Sequence, residues 1–207
     1  MADNPARLEQ SKVKANIKIV GIAPLLMCSI DSADKRNPIV QQIAQLTKLN
    51  KGKAYTEERQ ADIDRLHWLV ALYQRGGRVV LPADNLLACV HEGAKLSKMG
   101  TAVKQAAPYT DHEAYALDHD GPKKDLDALY ADGRFVDARM GCLQGRSKIL
   151  VVRPVFPTWA CSFDLTWDEE VVDFDTMRAS LVDAGARRGV GTWRPRFGRF
   201  AVETFAA

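Results

Sequence analysis

Long apolar runs are missing from this 207-residue chain. The longest, Ile19–Ile30, is interrupted by Gly21, Pro24 and Ser29 and falls short of the roughly 20 residues that span a bilayer. Met1–Gln10 is polar and lacks the apolar centre of a secretory signal, so a soluble, cytoplasmic protein with no membrane partner is expected. Cysteine is scarce too: Cys28, Cys89, Cys142 and Cys161 lie far apart with no CxxC pair. With His67, His91, His112 and His119 they form no zinc-like ligand spacing, so four buried thiols, no metal and no cofactor are expected. Neither sign of charge is in excess, since 29 basic and 26 acidic residues leave a net +3, too little to argue for nucleic acid by itself. Nucleophile-elbow, zincin and phosphate-loop signatures are all absent, which removes the best-marked hydrolase and NTPase classes. What remains is 46% apolar and 27% charged, an ordinary globular composition that excludes collagen-like, low-complexity and wholly disordered chains. The length suits one large domain, or one domain with a substantial insertion.

Along the chain, Asn16–Cys28 is rich in Ile and Val and begins in alternation, which predicts a strand with Pro24 at its end or at a bulge. Asn37–Pro38 predicts a helix start, with Ile39, Ile43 and Leu46 on one face and a stop at Asn50–Gly52. Thr56 predicts a second start, with Glu57 and Glu58 suited to the helix dipole and a stop at Gly76–Gly77. Arg78–Leu81 reads as a short strand and Pro82–Ser97 as a third helix, where Gly93 suggests another backbone approaching closely. Between Lys98 and Gly133 periodicity fades and polar residues crowd in, which predicts an inserted loop or subdomain. Lys148–Val152 and Ala160–Thr166 follow as strands, the second with Cys161, Phe163 and Leu165 facing inward. Asp173 then caps a helix with Phe174, Met177, Leu181 and Val182 inward and Gly185 as its stop, and a last strand runs to Glu203. The strongest elements read β-α-β-β-α-β, the ferredoxin-like order. This predicts an α+β fold, an RRM-like antiparallel sheet with helices on one face, extra N-terminal helices and an insertion at about 98–133.

Charge concentrates near the C-terminus. From Arg187 to Arg199 stand Arg187, Arg188, Arg194, Arg196 and Arg199 with no acidic residue, interleaved with Trp193, Phe197, Gly189, Gly191 and Gly198. Glycines let amides approach an anion, arginine forks match phosphate and exposed aromatics stack on bases. The alternative is a glycine-rich turn whose arginines are solvated or paired with Asp164, Asp168 and Asp173.

Gly189–Phe200, with its closing Phe-Gly-Arg-Phe, resembles the glycine-rich loop near the end of repeat-associated mysterious proteins, the RAMP superfamily of CRISPR effector subunits. The Ile-rich opening strand and Leu81–Pro82–Ala83 leading into a helix with Ala88, Gly93 and Ala94 are similar to that family as well. The chain also resembles uncharacterised phage and prophage proteins ending in Gly-x-Gly-x-Trp-Arg-Pro…Phe-Gly-Arg-Phe. The likeness covers roughly residues 15–28, 78–98 and 146–204. It implies a single RAMP-like domain over residues 1–207, a modified RRM that binds single-stranded RNA along its phosphates and forms homo-oligomers on the strand. Family loops are denser in glycine, and Trp193–Arg194–Pro195 replaces much of that glycine here.

The leading expectation is a non-enzymatic, phage-type, single-stranded nucleic-acid-binding protein using Arg187, Arg188, Gly189, Gly191, Trp193, Arg194, Arg196, Phe197 and Arg199. A second is a structural, assembly or host-defence-antagonist protein that kept the fold without the ligand. A third is a metal-dependent ribonuclease, because an aspartate after the first strand drives cleavage in RNA-cleaving members of the superfamily, and Asp31 and Asp34 occupy that region. Asp111–His112–Glu113 and Asp118–His119–Asp120 offer oxygen and nitrogen ligands, although solvated loop residues have the same composition. Trp159 and Phe156 read as core or interface residues.

Overall fold

A computed structural model of the chain describes residues 11–143 and 147–207; the side chain of Cys142 lies outside the description. In chain order the elements are β1 (Lys12–Gly21), β2 (Leu25–Leu26), α1 (Pro38–Leu49), α2 (Glu57–Ala71), β3 (Gln74–Arg75), β4 (Arg78–Pro82), α3 (Ala83–Leu96), α4 (Gly100–Gln105), β5 (Ala114–His119), α5 (Leu126–Ala131), β6 (Val136–Leu143), β7 (Ser147–Phe156), β8 (Trp159–Asp168), α6 (Phe174–Arg187) and β9 (Phe200–Ala206). The protein is therefore mixed α+β with antiparallel sheets. No described helix is long and apolar enough to cross a membrane. The chain forms two compact units, one from residues 1–25, 80–120 and 158–207, the other from 26–79 and 121–157.

In the first unit the strands run in the order β4-β5-β8-β1-β9, every pair antiparallel. Register sorts the residues by face. Ala15, Ile17 and Ile19 of β1 sit opposite Leu165, Phe163 and Cys161 of β8, and all six are buried. Trp167 of β8 and Phe205 of β9 stack on Phe174 of α6 at 5.9 and 5.0 Å, which places α6 over that apolar face. α3 packs against α6 at Gly93, where a Cβ would lie 2.1 Å from the Ser180 carbonyl oxygen. This is the close backbone approach that Gly93 predicts. The opposite face of the sheet presents Lys14, Asn16, Lys18, Ser162 and Thr204 around a shallow cleft of about 470 Å³.

In the second unit, α1 and α2 share an apolar cluster of Ile43, Ile63, Leu66 and Val70, with Ile39 and Leu46 packed against it. Trp68 of α2 donates its indole N–H to the Phe135 carbonyl at 2.8 Å, and β7 lies between β2 and β6 in a three-stranded sheet.

The predicted helix starts hold, because each is written within three residues. The Asn37 side-chain oxygen accepts from the Ile39 amide at 2.9 Å, Thr56 Oγ1 from Arg59 at 3.3 Å, and Asp173 Oδ1 from Thr176 at 2.8 Å. Five expectations need correction. Residues 98–133 are not one loop, since β5 lies within them and is bonded to β4 on one side and β8 on the other. β7 and β8 belong to different sheets, so the strand between α3 and β8 in the first sheet is β5 and not the 148–152 segment. Gly185 does not stop α6: it is inside the helix, facing Phe200, where a Cβ would lie 2.4 Å from the carbonyl oxygen. Val182 points outward, 46% exposed. α2 also ends at Ala71, before Gly76.

Candidate nucleic-acid interface

α6 ends at Arg187 and is closed by Gly189 beyond it, whose φ of 77° lets its amide turn back to the Ala184 carbonyl at 2.8 Å. Arg187 and Arg188 thus sit at the negative end of the helix dipole, which favours their charge whether or not a ligand is present. The chain then makes a closed excursion. Val190 donates to the Gly198 carbonyl at 2.9 Å, and Gly198 donates to the Pro24 carbonyl at 2.8 Å. The Arg199 carbonyl accepts from Ile22 and Ala23, fixing the return limb. Gly189 and Gly198 are needed here as glycines, because a Cβ on either would press on backbone atoms of the other limb. They hold the base of the loop closed, and no bound anion is required to explain them.

Between these limbs, Phe197 is buried and anchors the lobe, its amide donating to the Trp193 carbonyl at 3.2 Å. Trp193 lies 6.4 Å from the Phe197 ring, has a left-handed φ of 54° and stays 38% exposed. A bulky residue held at positive φ is uncommon and needs surrounding structure to maintain it. Arg194, joined to Pro195 by a cis peptide, donates weakly to the Gly189 carbonyl at 3.4 Å and leaves its other donors for a ligand.

Arg187, Arg188, Thr192, Trp193 and Arg194 line one cleft of about 400 Å³, with Glu92 of α3 on its far wall. Gly191 also lines it, whereas Gly189 forms the base. The structure therefore brings together only part of the predicted set. Arg196 instead lies over the Phe197 ring at 5.7 Å, Arg199 is half-buried on the return limb, and Phe197 is too buried to stack on a base. Arg187 pairs with Asp183 at 3.6 Å. Arg188, Arg194, Arg196 and Arg199 make no ion pair within 4.0 Å among the described residues. The acids upstream are engaged elsewhere: Asp164 with Tyr115 and the Asp111 amide, Asp168 with the Glu170 amide, Asp173 with Thr176. Pairing of the arginines with Asp164, Asp168 or Asp173 is thus not what this fold does.

Glu92 was not visible as a site residue, since it stands 95 positions before Arg187 and only the packing of α3 on α6 brings it there. Its carboxyl is held below the ordinary range, first by the Lys95 hydrogen bond against a small burial cost, then by the charges of Lys95, Arg188 and His91. Behind the loop, Cys89 donates to the Gly189 carbonyl at 3.3 Å, and burial pushes its thiol up to about 12. It is a structural thiol, not a nucleophile.

Asp31 and Asp34 lie in the other unit. Asp31 accepts from the Ser29 hydroxyl at 3.0 Å, and Asp34 pairs with Arg36 at 3.1 Å, which lowers its carboxyl first through that side-chain bond. Asp111 pairs with Lys14, and His119 is buried on β5. Among the described residues no three His, Cys, Asp or Glu side chains come close enough to share a metal ion. No protein-family model matches this chain, and none of the curated proteins compared with it does.

Proposed function

We propose that this protein binds single-stranded nucleic acid, RNA foremost, in the cleft beside the 188–199 loop, and does so without catalysis. The observation that carries the reading is three guanidinium groups, Arg187, Arg188 and Arg194, around one 400 Å³ cleft with a half-exposed indole at its rim. Arginine forks take phosphate oxygens two at a time, and an indole stacks on any base, so the pair of features fits a strand and not an isolated small anion. The helix end and Glu92 both oppose negative charge there, so binding must come from direct guanidinium contacts.

A ferredoxin-like, RRM-related fold is part of the proposal, supported by the order β9-β1-β8-β5 with α3 and α6 as its connecting helices. Of the rings around the cleft on the open sheet face, Phe163 and Tyr115 are buried, Tyr115 donating to Asp164, so His112 alone of them is exposed beside Lys14, Asn16, Lys18, Ser162 and Thr204, short of the usual RRM platform of stacked aromatics. This directs the strand to the loop. Self-association along the strand follows from the RAMP resemblance.

Fluorescence anisotropy of a labelled oligouridine tests the reading. Neutralising about three phosphates predicts a slope of log affinity against log salt of about −2. Arg188→Ala/Arg194→Ala should weaken binding at least tenfold and flatten that slope. Absence of binding at low salt would favour the second reading, a structural or assembly protein, which the mutual packing of Gly189 and Gly198 also suits.

A further inference from the structure

The wall that closes the arginine cleft also opens a second groove. Glu92 lies on α3 beside His91 and Lys95, and these two line a groove of about 440 Å³ with Lys98, Thr101 and Lys104. No acidic side chain lines it, and Lys98 and Lys104 make no ion pair among the described residues. Gly100 shapes the floor: a Cβ there would meet Lys95 Cγ at 2.8 Å. Glu92 lines the arginine cleft and accepts a hydrogen bond at 2.5 Å from Lys95, which lines the second groove, so this pair joins the two. Glu92 and Lys95 are three residues apart, about 4.5 Å along α3. A stacked strand advances about 3.4 Å per nucleotide, so the step from Glu92 to Lys95 corresponds to about one nucleotide.

We infer that one strand occupies both grooves, crossing α3 at the Glu92–Lys95 pair, with Lys95, Lys98 and Lys104 extending the phosphate track that begins at Arg188 and Arg194. The inference rests on the cleft being the nucleic-acid interface. It adds a length requirement: short oligomers fill the arginine cleft, and only longer ones reach the lysines.

Anisotropy of the full chain with oligouridines of about four and about twelve nucleotides separates the two claims. Lys98→Gln/Lys104→Gln should weaken the longer oligomer about tenfold, reduce its salt slope by about 1.4, and leave the shorter within about twofold. Thr101→Glu, which places a negative charge in the groove, should act in the same direction and on the longer oligomer alone. Arg188→Ala/Arg194→Ala should weaken both. Equal affinity of the lysine variants and the unaltered chain for the longer oligomer, or equal loss on both oligomers, would overturn the shared track. Unchanged binding in the arginine variant would overturn the cleft itself.

Discussion

Gly189 and Gly198 meet across the base of the loop, both at left-handed φ, 77° and 74°. A Cβ on Gly198 would stand 1.8 Å from the Val190 carbonyl oxygen, a backbone atom with no rotamer to move away. Gly133 has the same φ of 74° with nothing within 4 Å, so it isolates the conformational part of the cost. Gly133→Ala should lower unfolding free energy by about 1 kcal/mol, whereas Gly198→Ala should lose about 3 kcal/mol or more, since strain and collision add. Urea denaturation of the two variants measures the difference, and equal losses would mean that the loop base is not closed as described. The same pair shows what a sequence leaves ambiguous. Glycine beside arginine fits a phosphate cradle and a tight backbone crossing equally well, and only the third dimension reveals that these two serve the crossing. Arg194 and Trp193, which line the cleft, stand out in the sequence as candidate site residues because their chemistry is in the side chain. Phe197 was not separable from Trp193 by type, and burial divides them.

The elements legible in the sequence are those whose signals are local. Asn37, Thr56 and Asp173 each bond an amide two or three residues on, so the cap and the start it marks are read together. β5 carried a signal too, with Tyr115, Leu117 and His119 buried and Ala116 and Asp118 exposed, but acidic and histidine neighbours obscured this alternation. Its anchor is non-local. The Asp164 carboxylate of β8 accepts from the Tyr115 hydroxyl of β5 and from the Asp111 amide at 2.8 Å, with Lys14 of β1 at 3.9 Å. Burial alone would raise this carboxyl; the Tyr115 bond, the Asp111 amide and Lys14 together bring it below the ordinary 3.8. A carboxyl depressed in the folded state contributes stability that is complete above 3.8 and is lost as pH falls through the lower folded value. Asp164→Asn should therefore destabilise the chain at neutral pH and flatten its acid limb below 3.8. Urea midpoints across that range, followed by tryptophan fluorescence, check this. An unchanged acid limb would mean that Asp164 does not carry the linkage.

Over the whole molecule, the net charge of +3 conceals an uneven division. The unit holding the arginine cleft has thirteen basic and sixteen acidic residues, while the other has sixteen and ten. The arginine cleft therefore lies in a net-acidic unit, and the proposed attraction for phosphate would be confined to about a Debye length, roughly 8 Å at physiological salt. Neither unit is continuous in sequence: the chain passes between them after residues 25, 79, 120 and 157. That interleaving is why composition suggested an insertion at 98–133, whose polar texture spans the end of one unit and the start of a segment of the other. Replacing 98–133 by a short glycine-serine linker distinguishes the two descriptions. An inserted loop adds only closure entropy, so shortening it would leave a cooperative transition intact. In this fold the replacement removes β5 and opens β4 and β8 along their bonded edges, leaving Leu81 unpaired and Cys161 bonded on its β1 side alone. The variant should lose its near-ultraviolet circular dichroism and its cooperative urea transition. A sharp transition retained in that variant would show that the sheet closes without β5.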